Sequence, residues 1–240
     1  MVLACALHAQ PVKPRPEFEV ENVTPNKSGA PEHVSDISRG GEIFFRNITI
    51  GELLPLAFQR RESLIFGSPA WFGTDRFDIA AKAQLGFSEA TLGLMVQSLL
   101  AREFGLAFHE EQRPMDAFAL VVANGGPRIA RVPGPGTPGC GRDGAMDQLE
   151  VDCTAITMRN LTNFLPNVAP DYLDRPVVDQ TGLYGTYELK LSWTPQRSIA
   201  TAGGLTIFDA IAKQLGLKLE QRKLPVPVIV IDHAARPAAN

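Results

Sequence analysis

His109-Glu110-Glu111-Gln112 carries half of the H-E-x-x-H signature, in which two histidines on one helix face grip zinc and the glutamate acts as base. Arg113 follows, and Leu106 to Gln112 alternates as a strand, where adjacent side chains point to opposite faces. The local zinc motif is thereby excluded. His8, His33 and His233 lie far from His109 and from each other, so solvated strand-end histidines are the plainer expectation than a metal site. A hydrolase would have to assemble its site non-locally, from His109, His233 and acids near them. The pairs Asp75/Asp78 and Glu110/Glu111 are of the right type for general acid/base chemistry, but nothing in their spacing makes them face each other in a cleft. There is no G-x-S-x-G elbow, no Walker loop and no G-x-G-x-x-G after a strand. The glycine-rich stretch 134–144 is broken by prolines and opens no helix, so it cannot cradle a phosphate in the usual way. No catalytic residue, metal or cofactor is expected.

Two other residue classes could act. Trp71, Phe72, Tyr184, Tyr187 and Trp193 sit near corresponding places in the two halves of the chain, and paired aromatics can receive a glycan, a peptide or a partner protein. Core packing is the commoner use of such side chains. The candidate binding residues are Trp71, Phe72, His109, Tyr184, Trp193 and His233. Cys140 and Cys153 form an even pair across a Gly/Pro-rich stretch if Cys5 is removed with a leader, and are candidates for a disulfide; two unpaired thiols are the alternative.

The totals narrow the class. Hydrophobic residues make up 45% and charged residues 20%, which argues for a folded chain over a disordered tail or coiled coil. A net charge of −3 with no dense Lys/Arg stripe argues against nucleic acid as a partner. No apolar run is long enough for a transmembrane segment. Met1 to Gln10, MVLACALHAQ, reads as the tail of a signal peptide cleaved after Ala9, although it lacks a basic n-region; a truncated gene start or a frayed apolar terminus are the alternatives. Val2-Leu-Ala-Cys5 is a poor lipobox. The expected location is periplasmic or secreted.

The elements that must position these residues follow from periodicity. Strands are expected at 18–23 and 40–46, then Thr49-Ile-Gly-Glu52 opens a helix as a capping box, with Ile50, Leu53, Leu54, Ala57 and Phe58 on one face. A strand at 76–82 precedes a helix over 89–104, which Gly105 stops. Two strands, 106–112 and 115–122, close the half. Residues 131–147, with five glycines and three prolines, read as a surface linker. The order then restarts: a strand from Leu149 to Ala155, a helix capped by Thr157, a strand over 185–193, a helix opened by Thr206 and stopped by Gly216, and strands at 217–223 and 226–232.

The recurrence is measurable. Asn47-Ile-Thr-Ile50 and Ala155-Ile-Thr-Met158 lie 108 residues apart, Arg76-Phe-Asp-Ile79 and Thr186-Tyr-Glu-Leu189 lie 110 apart, and Phe104-Gly-Leu-Ala-Phe108 and Leu215-Gly-Leu-Lys-Leu219 lie 111 apart. The expected fold is α+β: two similar β-α-β-β units from an internal duplication, mostly antiparallel sheet with short amphipathic helices packed on it. The expected division is a leader at 1–9, repeats at 18–130 and 148–233 joined by the 131–147 linker, and a tail at 234–240.

Several longer stretches carry a resemblance: Phe18-Glu-Val20 with Pro25-Asn-Lys27, GSPAWFGTDRFDIAAKA at 67–83, LLAREFGLAFHEEQ at 99–112, FALVVANGGPRI at 118–129, DQTGLYGTYELKLSWTP at 179–195 and LGLKLEQRKLPVPVIVIDH at 215–233. Through them the chain resembles a family of exported, soil-associated bacterial proteins defined by a domain of unknown function. It departs from the family pattern at Ser68, where Gly is usual, and at Glu103, where Arg is usual. The resemblance transfers no catalytic residue. It implies an extracytoplasmic role, since related domains occur attached to membrane sensor-peptidases. The expected function is a non-catalytic binding or interaction module of the cell envelope, engaging an envelope protein, peptide or glycan through a surface between the repeats. The alternatives are the non-local hydrolase and a purely structural envelope protein.

Overall fold

Thr49, where the period changes from two to 3.6, is where the first unit turns from sheet to helix. The computed structural model describes residues 15–30, 33–38, 40–132, 139–145 and 147–237. The expected leader at 1–9 lies outside them. The chain runs β1 (Val20–Pro25), β2 (Val34–Ile37), β3 (Glu42–Thr49), α1 (Ile50–Phe58), β4 (Ile65–Phe66), a 3₁₀ turn (Ala70–Gly73), β5 (Arg76–Lys82), α2 (Glu89–Phe104) and β6 (Ala107–Val122). It continues through β7 (Ala130–Val132), β8 (Gly139–Ala145), β9 (Gln148–Ile156), α3 (Met158–Val168), β10 (Val177–Asp179), β11 (Thr186–Trp193), α4 (Gln196–Ala202), α5 (Ile207–Ala210) with a π turn to Leu215, and β12 (Leu217–His233). The fold class is mixed α+β, as the periodicities predict.

The chain divides into two units: residues 15–111 with 228–237, and residues 112–227. The boundaries thus fall inside β6 and β12 and not in the 131–147 stretch. The reason is packing: Ile229 and Ile231 of β12 join the first core, while Phe118 and Leu120 of β6 join the second. Pro114 and Pro225 interrupt the sequence pattern without ending either strand, because a proline removes one donor but its φ suits extended backbone. Each is therefore one long strand where two were expected.

In the first unit the sheet order is β1-β5-β3-β2, and in the second β7-β11-β9-β8, with antiparallel neighbours throughout. Within the 131–147 stretch, read as a linker, residues 131–132 belong to β7 and 139–145 form β8. Glycine-rich β8 can be an edge strand because its ladder with β9 is made by backbone groups and no large side chain is required. Short parallel pairings complete the picture: β4 beside β12 in the first unit, β10 beside β6 in the second.

Both sheets bend at the same point. From Phe45 to Ile48, β3 advances three residues while β5 advances two, and β9 does likewise between Cys153 and Ile156 against β11. The extra residues, Asn47 and Ala155, take left-handed φ of 56° and 49°. Each bulge runs into a helix capped by threonine: Thr49 accepts from the Glu52 N–H, and Thr157 from the Asn160 N–H. In the first core Ile43, Phe45, Phe77 and Ile79 face Leu53, Val96 and Leu100. In the second Val151, Leu189 and Leu191 face Leu161, Leu165 and Ile211. Helices α1 and α2 approach so closely that a Cβ on Gly93 would lie 2.9 Å from the Leu56 carbonyl oxygen.

Candidate functional site

Asn47 sits 4% exposed in its bulge, in the left-handed conformation that a short amide side chain tolerates better than most. Its N–H donates to Asp78 Oδ1 at 2.8 Å, its Nδ2 donates to the Ala30 carbonyl at 2.8 Å, and its carbonyl accepts from Arg76 Nη1 at 2.6 Å. Asp78 Oδ1 also accepts from Asn26 Nδ2 at 2.8 Å, which ties the loop after β1 to the sheet. Arg76 is 3.9 Å from Glu52, whose other oxygen lies 3.0 Å from His33 Nδ1. Burial pushes the Glu52 carboxyl upward. The Thr49 N–H and hydroxyl, with His33 and Arg76, outweigh it and hold Glu52 below its ordinary value.

This network forms one wall of a cleft of about 520 Å³ inside the first unit. The loop residues Pro25, Asn26, Lys27 and Gly29 line it, with Asn47, residues 74–77, Arg236 and Pro237. The segment after β12 is pinned in place: the Ala235 N–H donates to the Phe104 carbonyl at 2.7 Å, Arg236 Nε donates to Asp75 Oδ2 at 2.6 Å, and the Arg236 guanidinium stands 5.4 Å from the Trp71 ring centroid. The hydrogen bond from Arg236 holds the Asp75 carboxyl below its usual range. Among the described residues three cations, Lys27, Arg76 and Arg236, thus border the space against one acid, Asp75, while Phe77 and two prolines give it apolar surface.

The residues singled out from sequence are scattered. Trp71 is half-buried, edge-on to Phe72 at 4.6 Å and stacked on Phe104 at 6.2 Å, and it touches the cleft only through Arg236. Phe72 is 1% exposed and belongs to the first core. Trp193 is also 1% exposed, in the second core, and offers no surface to a ligand; its indole N–H has no hydrogen-bond partner among the described residues. Tyr184 is 84% exposed at a loop tip, where its carbonyl accepts from the Tyr187 hydroxyl at 3.1 Å. Asp75 and Asp78 serve Arg236 and two asparagines separately, so they form no acid/base pair.

His109 is exposed, with Nδ1 2.8 Å from Asp232 Oδ1 and Nε2 3.7 Å from Glu111 Oε2. The Asp232 hydrogen bond, with Glu111 behind it, raises the imidazole above its ordinary 6.5. His233 follows Asp232 on the same strand and so points to the opposite face. The two histidines are not gathered into one constellation. Among the described residues no group of three His, Cys, Asp or Glu could hold a metal, and no helix is long and apolar enough to cross a membrane. Cys140 and Cys153 lie directly opposite each other on β8 and β9 and are joined by a disulfide.

The cleft residues Lys27, Asn47, Arg76 and Arg236 escape a reading by motif. One signal was available: Asn47 is a polar residue two positions before the capping box of Thr49 and Glu52, where the other half has Ala155.

The family model of DUF3738, described as a protein of unknown function, matches residues 51–234. The chain belongs to this family. The DUF3738 stretch spans α1 to the end of β12, including Thr74 to Phe77 of the cleft, while Pro25 to Gly29, Asn47, Arg236 and Pro237 flank it. No curated protein and no solved structure matches the chain.

Proposed function

We propose that this chain is an extracytoplasmic binding module of the cell envelope, and that the cleft of its first unit holds the ligand. The observation that carries the reading is the cleft itself: a concave, partly apolar space into which polar groups from four separate segments converge, held by a hydrogen-bonded bulge. A purely structural role gives no reason for such a space. Export is supported by the Cys140–Cys153 disulfide, since such bonds persist in oxidising compartments. The matching sheet orders, matching bulges and left-handed caps at Gly105 and Gly216 support descent of both units from one duplicated module.

A fragment screen read by amide chemical shifts tests the binding role. The expected result is a set of compounds that shift residues 26–29, 47 and 74–77 and no longer do so in Thr74→Trp, where an indole on an exposed lining residue fills the cleft. Fragments that bind nowhere, or only at other surfaces, overturn the reading. Mass spectrometry of the exported protein, with and without reductant, tests the compartment through the disulfide and the N-terminal cleavage site.

A further inference from the structure

We infer that the cleft takes a ligand bearing an oxyanion, a carboxylate or a phosphate, on an apolar group, with Lys27, Arg76 and Arg236 as the anion's donors. The inference rests on the cleft being a binding site and adds the chemistry of what binds.

Charge is the first argument. Among the described residues four ionisable side chains line the space; three are cations, and the acid, Asp75, is engaged by Arg236. Among the described lining residues a cationic ligand would meet like charges, and the carboxylate of Asp75 is already paired.

The second argument is the donors that the protein leaves unused. Arg76 spends Nη1 on the Asn47 carbonyl and on Glu52, and Arg236 spends Nε on Asp75. Among the described residues no hydrogen bond engages Nε or Nη2 of Arg76, either terminal nitrogen of Arg236 or the Lys27 ammonium. A guanidinium anchored through one nitrogen still presents a planar fork of N–H groups, which matches the paired oxygens of a carboxylate or phosphate.

The third is preorganisation. Asn47 is locked by three hydrogen bonds and so fixes Arg76, while Trp71 backs the Arg236 guanidinium. Little side-chain freedom then remains to be lost on binding. Phe77, Pro25 and Pro237 supply apolar surface beside the cations, and about 520 Å³ accommodates more than a bare ion.

The test is an NMR titration of the whole chain with phenyl phosphate, phenylacetate, inorganic phosphate and the neutral 2-phenylethanol. At least one of the two aromatic anions is expected to bind about tenfold or more tighter than the alcohol, as charge-assisted hydrogen bonds to the ligand imply. Its affinity should fall with added salt, and about tenfold again in each of Lys27→Gln and Arg76→Gln. Which aromatic anion binds tighter distinguishes a carboxylate source from a phosphate source, and inorganic phosphate binding weakest of the anions supports the apolar half. Lys27 is exposed, so Lys27→Gln remains informative if Arg76→Gln disturbs the bulge. Equal binding of 2-phenylethanol, or unchanged affinity in both variants, overturns the oxyanion assignment while leaving the cleft a binding site. Inorganic phosphate binding as tightly as phenyl phosphate overturns the apolar half. No binding by any of the four overturns the oxyanion assignment, and the binding role falls with it only if the fragment screen is also empty at the cleft.

Discussion

The bulge at Asn47 and the bulge at Ala155 are the same piece of backbone put to different uses. Both insert one residue in a left-handed conformation before a threonine-capped helix. At Asn47 the inserted residue carries an amide, and Arg76, Asp78 and Asn26 are organised around it into the wall of a cleft. At Ala155 there is only a buried methyl, and the residue 110 positions on from Arg76 is Thr186, whose hydroxyl donates to the Val132 carbonyl within the sheet. The second unit instead carries a disulfide across β8 and β9, whereas β2, at the same sheet edge of the first unit, has no cysteine. The bend is therefore architecture, and the side chains laid on it decide whether a unit lines a cleft or carries a disulfide.

The largest test of that likeness is in the cores. Leu53→Ala in α1 and Leu161→Ala in α3 each remove a fully buried side chain from the helix that follows the bulge, and each is expected to cost roughly 2–5 kcal/mol. Denaturant melts that showed one of them to be nearly neutral would break the equivalence of the two helices.

Opening the disulfide separates the units. Replacing Cys140 and Cys153 together by alanine, or reducing the native chain, is expected to cost about 3 kcal/mol for a loop of this length. Hydrogen exchange should then quicken in β8 and β9 and not in β2 and β3.

The bulge residues themselves give an asymmetric pair. Asn47→Ala should cost about 1–3 kcal/mol by leaving partners unmatched, notably the Ala30 carbonyl. Ala155→Gly should change stability by less than about 1 kcal/mol, because relief of the left-handed conformation offsets the added freedom of the unfolded chain. Equal losses at the two sites would mean that Asn47 contributes conformation alone. Within the first unit, Gly93→Ala should cost about 1–3 kcal/mol by forcing α2 off the α1 backbone, against a gain in helix propensity of about 1 kcal/mol. A thermal melt reads the net loss.

The smallest effect is electrostatic. His109 titrates above its ordinary 6.5, so its pairing with Asp232 stabilises fully below that value and is lost as pH rises through the raised one. His109→Gln should flatten this part of the stability profile. Asp75 and Glu52 have the opposite sign: their stabilisation is present above their ordinary values and is lost as pH falls through the lowered ones. Those acid-side losses should persist in the variant.

Much of the local structure was legible because its causes are local. The start of α1 and the span of α2 follow from a stripe of apolar residues three and four apart, with the Thr49 capping box opening the first and Gly105 stopping the second. The short β2, β4 and β10 and the helix α4 were not legible. They run for two to seven residues with few buried side chains, too little for a period to register. Phe72 and Trp193 looked like ligand aromatics because residue type alone does not say which side of a sheet is wet.

By itself the sequence determined the longer helices and strands, the threonine and glycine caps, the fold class, and the recurrence that aligns Asn47 with Ala155, since each depends on residues within a few turns of one another or on direct comparison. The tertiary structure decided the rest. Asn47 lies 31 residues from Asp78 and 29 from Arg76, Asn26 lies 52 from Asp78, and Arg236 lies 161 from Asp75. A site built across such separations leaves no periodic trace. It exists because a sheet brings its strands' ends together, and because one bulge turns a buried amide toward them.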